Sequence, residues 1–297
     1  KKHELTHPDK EEDRKNHVRY SALNYEAVFL SYPQVTGIDQ LVNITKKEKH
    51  LYDFISDDDI RHRLWAITNK EILRKITALF KTKVPKIYIA DGHHRTAAGA
   101  LVGKEFRDSR NGNLDDKKRD NYFMAVVFPD NQLKILDYNR VVKDLNGFTK
   151  NELIQRLKNK FDVVTCATQY RPESLHTFGM YLEGQWYKLS SLPDSYDDSD
   201  PIGQLDVTIL SKNVLEPIFD IIDLRKDIRI DFVGGMRGLS ELEKRVDSGD
   251  MKVAFSMYPV SMTQLINISD NDLLMPPKVT WFEPKLRSGL FIHDLTD

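Results

Sequence analysis

The sequence predicts a mixed α/β fold on three observations. Strand-like and helix-like segments alternate through both halves of the chain. Residues 86–90 (KIYIA) form a compact apolar run that meets a glycine turn and then a small-residue helical stretch. Forty per cent of the 297 residues are apolar, enough to bury a sizeable core.

The elements follow in chain order. Residues 8–22 read as a helix: Pro8 suits its first turn, and Asp9, Glu11, Glu12 and Asp13 suit the positive end of its dipole. Residues 27–32 (AVFLSY) make a buried strand stopped by Pro33, and 51–55 (LYDFI) a second, followed by the acidic turn Asp57–Asp59. Within 68–82, Ile72, Leu73, Ile76, Leu79 and Phe80 share one helix face. The strand 86–90 precedes Asp91-Gly92-His93-His94-Arg95, and 96–106 reads as a helix. Residues 107–121 are polar and read as an exposed, mobile loop, and 122–128 with 133–138 as a β-hairpin. The second half reads as a helix at 149–161, a strand at 162–167 and a hairpin over Gly184 at 180–192. A helix at 204–219 with a break near Pro217 follows, then a strand at 228–235 and a helix at 238–249 closed by Gly249. A strand at 252–260, a helix at 262–270 and an irregular tail anchored by Trp281, Phe282 and Phe291 complete the chain. A boundary at 145/146 is expected, with a phosphate-binding unit over 1–145 and an α/β unit with a proline-rich closing tail over 146–297.

Composition narrows the function. With 44 Lys+Arg against 45 Asp+Glu, the net charge of −1 argues against nucleic-acid binding by bulk electrostatics. No apolar run approaches the ~18 residues of a membrane span. One cysteine, Cys166, excludes an internal disulfide framework and a multi-cysteine zinc site, and a reducing cytoplasm is expected. Cys166 lies in an apolar strand pattern with no evident base and is expected to be buried and inert.

The turn at 91–96 carries the chemistry. Gly92 permits a sharp bend and a close backbone approach. The helix that follows offers free N–H groups and a dipole that favour an anion. His93, His94 and Thr96 add donors, and Arg95 can grip phosphate oxygens bidentately. Asp91 is placed to hold Mg²⁺ or to orient a histidine. The same residues could instead cap the helix, and tandem histidines could ligate a metal, although adjacent side chains diverge. Glu4 is the candidate general base for deprotonating a substrate hydroxyl. Lys10 and Arg14 could cradle the anion from the other side, and Arg140 could add a phosphate contact. There is no Walker-type G-x-x-x-x-G-K-S/T run.

IADGHHRTAA (89–98), KHELTHPDKEEDR (2–14), NYEAVFLSYP (24–33), VAFSMYP (253–259) and MPPKVTWFEPKLRSGL (275–290) resemble, in the same order, the blocks of the bacterial domain-of-unknown-function family 1015. That resemblance implies that the N-terminal part of a usual member is absent before Lys1. Thr96 stands where the family has Tyr, Val279 where it has Ser, and Asn139 where it has His beside the retained Arg140. The turn alone is also similar to the phosphate-binding turn of the ParB/sulfiredoxin-like superfamily, which includes free-serine kinases. This second likeness implies a ParB/sulfiredoxin-like catalytic domain followed by a second α/β domain. It implies a phosphotransferase using ATP or ADP with Mg²⁺ on a small hydroxylated metabolite, free serine being the first choice. Alternatives are a phosphate-ester hydrolase and a nucleotide-binding regulatory or DNA-associated protein. A sulfiredoxin-like reductase would need a cysteine where His93 and His94 stand. Expected partners are a small molecule and a nucleotide, with no membrane; a homodimer is left open.

Overall fold

The computed structural model describes residues 1–110, 112, 117–285 and 287–296. The fold is mixed α/β. Its first half begins with α1 (Pro8–Ser21), β1 (Leu23–Asn24), β2 (Val28–Tyr32) and α2 (Thr36–Thr45). The β-hairpin β3 (Tyr52–Ile55) and β4 (Arg61–Leu64) comes next, then α3 (Lys70–Lys83), β5 (Tyr88–Asp91) and α4 (His93–Ser109). The apolar run of 27–32 becomes the centre of a three-stranded sheet, because both its edges find partners. β2 pairs antiparallel with β5 and parallel with β6 (Ala125–Pro129). α1 lies along α4, clamped by the Arg19–Glu105 ion pair at 2.9 Å. α3 starts where Asn69 accepts hydrogen bonds from the Glu71 and Ile72 amides. It packs Leu79 and Phe80 against Tyr32, Ile38 and Val84.

The next strands are β7 (Lys134–Leu136) and β8 (Tyr138–Val142). The 122–138 hairpin expected from the sequence does not form. β6 joins β2, whereas β7 pairs with the tail strand β14 (Trp281–Glu283). A 3₁₀ turn at Asp130–Gln132, tied to the Gln34 amide through Asp130, turns the chain out instead of back. Of the expected 107–121 loop, residues 107–109 continue α4 and Arg119–Asn121 form a 3₁₀ turn; 111 and 113–116 lie outside the described residues.

The remaining elements are α5 (Lys150–Leu157), β9 (Phe161–Cys166), β10 (Thr177–Leu182), β11 (Gln185–Ser191), α6 (Asp206–Leu210), β12 (Ile230–Gly234), α7 (Leu239–Asp247), β13 (Val253–Ser256), α8 (Met262–Asp270) and β15 (His293–Asp294). A six-stranded antiparallel sheet has the order β12-β8-β13-β10-β11-β9. The two-residue period of its strands divides two cores. Phe178, Met180 and Leu182 face α5, α6 and α8, while Tyr181 and Trp186 face Leu239, Leu242 and Val246 of α7. Each wholly buried leucine, such as Leu153 and Leu157 of α5, contributes roughly 1.5–3 kcal/mol over its exposed state. Phe29, Tyr88 and Ala90 of the small sheet join the larger core with Phe282 of β14. β8, just before residue 145, is an inner strand of the large sheet, and β15 returns to pair with β1. Among the described residues no helix is long and apolar enough to cross a membrane.

Candidate functional site

β5 delivers Asp91 to the edge of the small sheet, and Gly92 turns the chain into α4 at φ +90°. The helix begins at His93, three residues earlier than its sequence pattern suggests. His93, His94 and Arg95 therefore sit inside the first helical turn, where backbone N–H groups have no intrahelical acceptor. Two groups of the turn are already engaged. The Gly92 amide donates to Asp91 Oδ1 at 2.7 Å, and the Thr96 hydroxyl donates to the Gly92 carbonyl at 3.0 Å.

The turn has two charged sides. On one, Arg95 donates to Glu26 Oε2 at 2.6 Å, and the Ser288 hydroxyl donates to Glu26 Oε1 at 3.1 Å. Arg14 lines the small hollow beside this pair, about 40 Å³, whereas Lys10 lies in the large cavity on the opposite side. Lys10 and Arg14 thus line different hollows, although the charges of both bear on His94. Burial alone would raise the Glu26 carboxyl, but Arg95, Ser288 and Arg14 hold it below its ordinary value. Glu26 lies in the family-like block 24–33, whose local pattern marks only a buried strand.

The other side opens on a cavity of about 810 Å³. Glu4, Asp91, Gly92, His93 and His94 form one wall, and Lys10, Arg225, Lys226 and Lys278 supply positive charge around it. Arg225 and Lys226 come from the segment between α6 and β12, which shows no motif in the sequence. A neighbouring cavity of about 210 Å³ shares Glu4, Asp91, His93 and Lys278, and adds His3 and Lys285. Asp91 meets Lys285 Nζ at 3.0 Å. Burial opposes the Asp91 charge, yet Lys285, Arg95 and the Gly92 amide outweigh it and depress the carboxyl. Burial pushes the Glu4 carboxyl up, against the pull of Lys278, Arg225 and Lys10.

Two imidazoles are packed under the turn. His3 is 2% exposed and His93 6%, with their rings edge to face at 4.5 Å. Among the described residues, both nitrogens of His3 and Nε2 of His93 have no hydrogen-bond partner. Burial lowers His3 to about 3 and His93 to about 4, so both are neutral at physiological pH. His93 Nδ1 lies 3.9 Å from Glu4, too far for a hydrogen bond. His94 is less enclosed; its Nε2 accepts the His7 backbone N–H at 2.9 Å, which assigns its proton to Nδ1.

Arg140 is not a phosphate contact. It is 1% exposed and donates to the carbonyls of Tyr138 and, at 3.0 Å, Lys278. Its guanidinium lies 5.5 Å from the Phe232 ring centroid, and burial lowers it to about 10. It anchors instead the Lys278 backbone, which adopts φ +58° and aims its side chain along the Tyr138 ring. Cys166 is partly exposed at the end of β9, where the sequence pattern predicts burial. Among the described residues no group of three or more His, Cys, Asp or Glu could hold a metal ion.

The family described as "Protein of unknown function (DUF1015)" matches residues 1–208. The chain belongs to the DUF1015 family. No curated protein matches this DUF1015 member. Among solved structures, a free serine kinase in complex with AMP is 12% identical at TM-score 0.43, with 95% of this chain and 83% of that chain covered. A conserved hypothetical protein from Pyrococcus furiosus is 14% identical at TM-score 0.44, with 99% and 91% covered. SbnI with a C-terminal truncation, from Staphylococcus aureus, is 12% identical at TM-score 0.39, with 97% and 81% covered. The DUF1015 match includes the whole Asp91–Arg95 turn and ends before Arg225, Lys226, Lys278 and Lys285, the charged residues that the later part of the chain brings to it.

Proposed function

We propose that this protein transfers a phosphoryl group between a nucleotide, ATP or ADP, and a small hydroxylated metabolite, with free serine the first substrate to try. One observation carries the proposal. Gly92, His93 and His94 at the start of α4 line a cavity of about 810 Å³ whose cations are Lys10, Arg225, Lys226 and Lys278, facing the carboxylates Glu4, Asp91 and Asp223. Aligned amides and cations in a partly enclosed space stabilise the spread negative charge of a transferring phosphoryl group.

The residues take separate roles. The amides of His93, His94 and Arg95 would hold phosphate oxygens, with Gly92 letting them approach. Lys10 and Lys278 would neutralise charge from two sides. Neutral His93 would add no charge to the cradle and would exclude water beneath it. Glu4, whose carboxyl is raised by burial and which faces both cavities, would take the proton from the acceptor hydroxyl. Arg95 is paired with Glu26, so it would reach a phosphate only by leaving that partner.

A lone carboxylate does not make a protein-built magnesium centre. Mg²⁺ is commonly held by one or two carboxylates together with substrate phosphates. Asp91 would be that carboxylate, and Lys285 is the cation a metal would displace. Residues 1–145 would form the phosphate-binding unit, and residues 146–297 would cover it with Arg225, Lys226 and the tail.

The test is incubation of the protein with serine, Mg²⁺ and ATP or ADP, with O-phosphoserine read by mass spectrometry. Product from either nucleotide supports the proposal. Absence of product together with absence of nucleotide binding by calorimetry removes it. Phosphate release from O-phosphoserine without nucleotide would assign a hydrolase to the same cavity.

A further inference from the structure

A third cavity, of about 530 Å³, lies on the far side of Lys285. Its walls come from elements distant in sequence: the β3–β4 hairpin, the exposed face of β6 and the tail around Phe291. Tyr25, Phe54, Phe128 and Phe291 line it, and Phe54 is stacked on His62 with an interplanar angle of 24° and centroids 5.1 Å apart. The hollow is mainly apolar, and its charged residues come from the hairpin and from the tail. On the tail side Lys285 lies 5.1 Å from the Trp281 ring centroid and 3.0 Å from Asp91. Lys285 also lines the cavity of about 210 Å³, which shares Glu4, Asp91, His93 and Lys278 with the large polar one. The three hollows are neighbours in series: the first two share Lys285 as a wall, and the second shares Glu4, Asp91, His93 and Lys278 with the one at the start of α4.

The geometry points to a ligand that is aromatic at one end and anionic at the other: the 530 Å³ hollow is the subsite for the base of a nucleotide whose phosphates pass Lys285 toward the α4 N-terminus. This rests on the phosphate role proposed above and adds where the nucleoside sits. The volume lies in the range of pockets that enclose small organic ligands. Flat aromatic walls favour a flat ring, since base–aromatic stacking needs only two π-faces. The lysine at the junction fits the polarity of a nucleotide, whose charge begins one sugar away from the ring. A wholly apolar ligand would fill the aromatic hollow and make no use of that junction.

The experiment compares inorganic pyrophosphate with ADP by isothermal titration calorimetry on the full chain. Tyr52→Ala and Phe291→Ala serve as variants. Both side chains line the hollow and are 56% and 43% exposed, so truncating them removes little core. ADP should bind at least tenfold more tightly than pyrophosphate. Each variant should cut that ratio severalfold and leave pyrophosphate affinity unchanged, with circular dichroism confirming the fold. Equal binding of ADP and pyrophosphate, or a ratio that survives both substitutions, overturns the base subsite while the phosphate site stands. Tighter binding of an acyl phosphate than of ADP overturns the aromatic assignment. Failure of pyrophosphate and ADP alike overturns the phosphate site and the subsite together.

Discussion

Folding stability measured against pH, in the parent and in two variants, reads the two imidazoles beneath the turn. His3 and His93 have ordinary values of 6.5 and fall to about 3 and about 4 on burial. Their stabilisation is complete above 6.5 and is lost as pH falls, because the unfolded chain takes up protons that the folded chain refuses. Asp206 acts in the opposite sense. It is 2% exposed, its Oδ1 accepts the His176 amide at 2.8 Å, and burial lifts it from 3.8 to about 7. Its contribution is complete below 3.8 and is lost as pH rises through about 7. Between about pH 6 and 4.5, two of these three groups destabilise on acidification and one stabilises, while the lowered His94 and the raised Glu4 act against each other. Each group contributes a slope of about 1.4 kcal/mol per pH unit, so the net loss is roughly 2 kcal/mol across this window. Asp206→Asn removes the opposing group and should double the slope, to a loss of roughly 4 kcal/mol. His93→Gln should flatten it to nearly zero. Urea denaturation followed by tryptophan fluorescence at about pH 6.0, 5.25 and 4.5 reads the slopes directly. The burial account is refuted if Asp206→Asn and His93→Gln both keep the parent slope.

Three further outcomes are expected. Gly92→Ala forces a side chain into positive φ and places its Cβ 2.9 Å from Arg95 Nε; chemical denaturation should show a loss of about 1–2 kcal/mol, and an unchanged midpoint would show that the turn relaxes freely. Glu4→Gln should lower phosphoryl transfer about 10²–10⁴-fold while pyrophosphate affinity holds or rises, since a negative charge leaves the cavity; parallel loss of affinity would make Glu4 a binding group instead of a base. Arg140→Met should orphan the Tyr138 and Lys278 carbonyls, at about 1–3 kcal/mol each, and should weaken pyrophosphate binding through a loosened Lys278; a variant of full stability and affinity would separate Arg140 from the site.

The anion turn is legible because its parts are contiguous: strand, glycine, basic residues and small-residue helix follow one another within 86–106. Its helix start is misplaced by the sequence pattern because Gly92 caps α4 through a left-handed backbone, with no capping side chain to announce it. The partners of the turn are not legible. Glu26 lies 69 residues before Arg95, and Lys285 lies 194 residues after Asp91. Glu26 and Lys285 lie in the family-like blocks 24–33 and 275–290, but nothing local marks what they pair with. The same reason hides the parallel pairing of β6 with β2, since an apolar run specifies that a strand is buried but not which strand lies beside it. Arg140 misleads because arginine usually stays at the surface, whereas here backbone carbonyls from two elements take its donors. Arg225 and Lys226 belong to a stretch whose local pattern is that of an ordinary charged loop, and only the fold brings them opposite the histidines.

The last strands reach back across the whole molecule: β14 to β7, β15 to β1, Lys285 to Asp91 and Ser288 to Glu26. During synthesis, the ribosome therefore makes the acidic half of these pairs long before their counterparts. A nascent chain halted before residue 281 would carry Asp91 and Glu26 without the groups that later sit on them. Maturation of the turn is thus coupled to synthesis of residues 281–294, and a product terminated before them would lack the site's final electrostatic settings even where its sheets had folded.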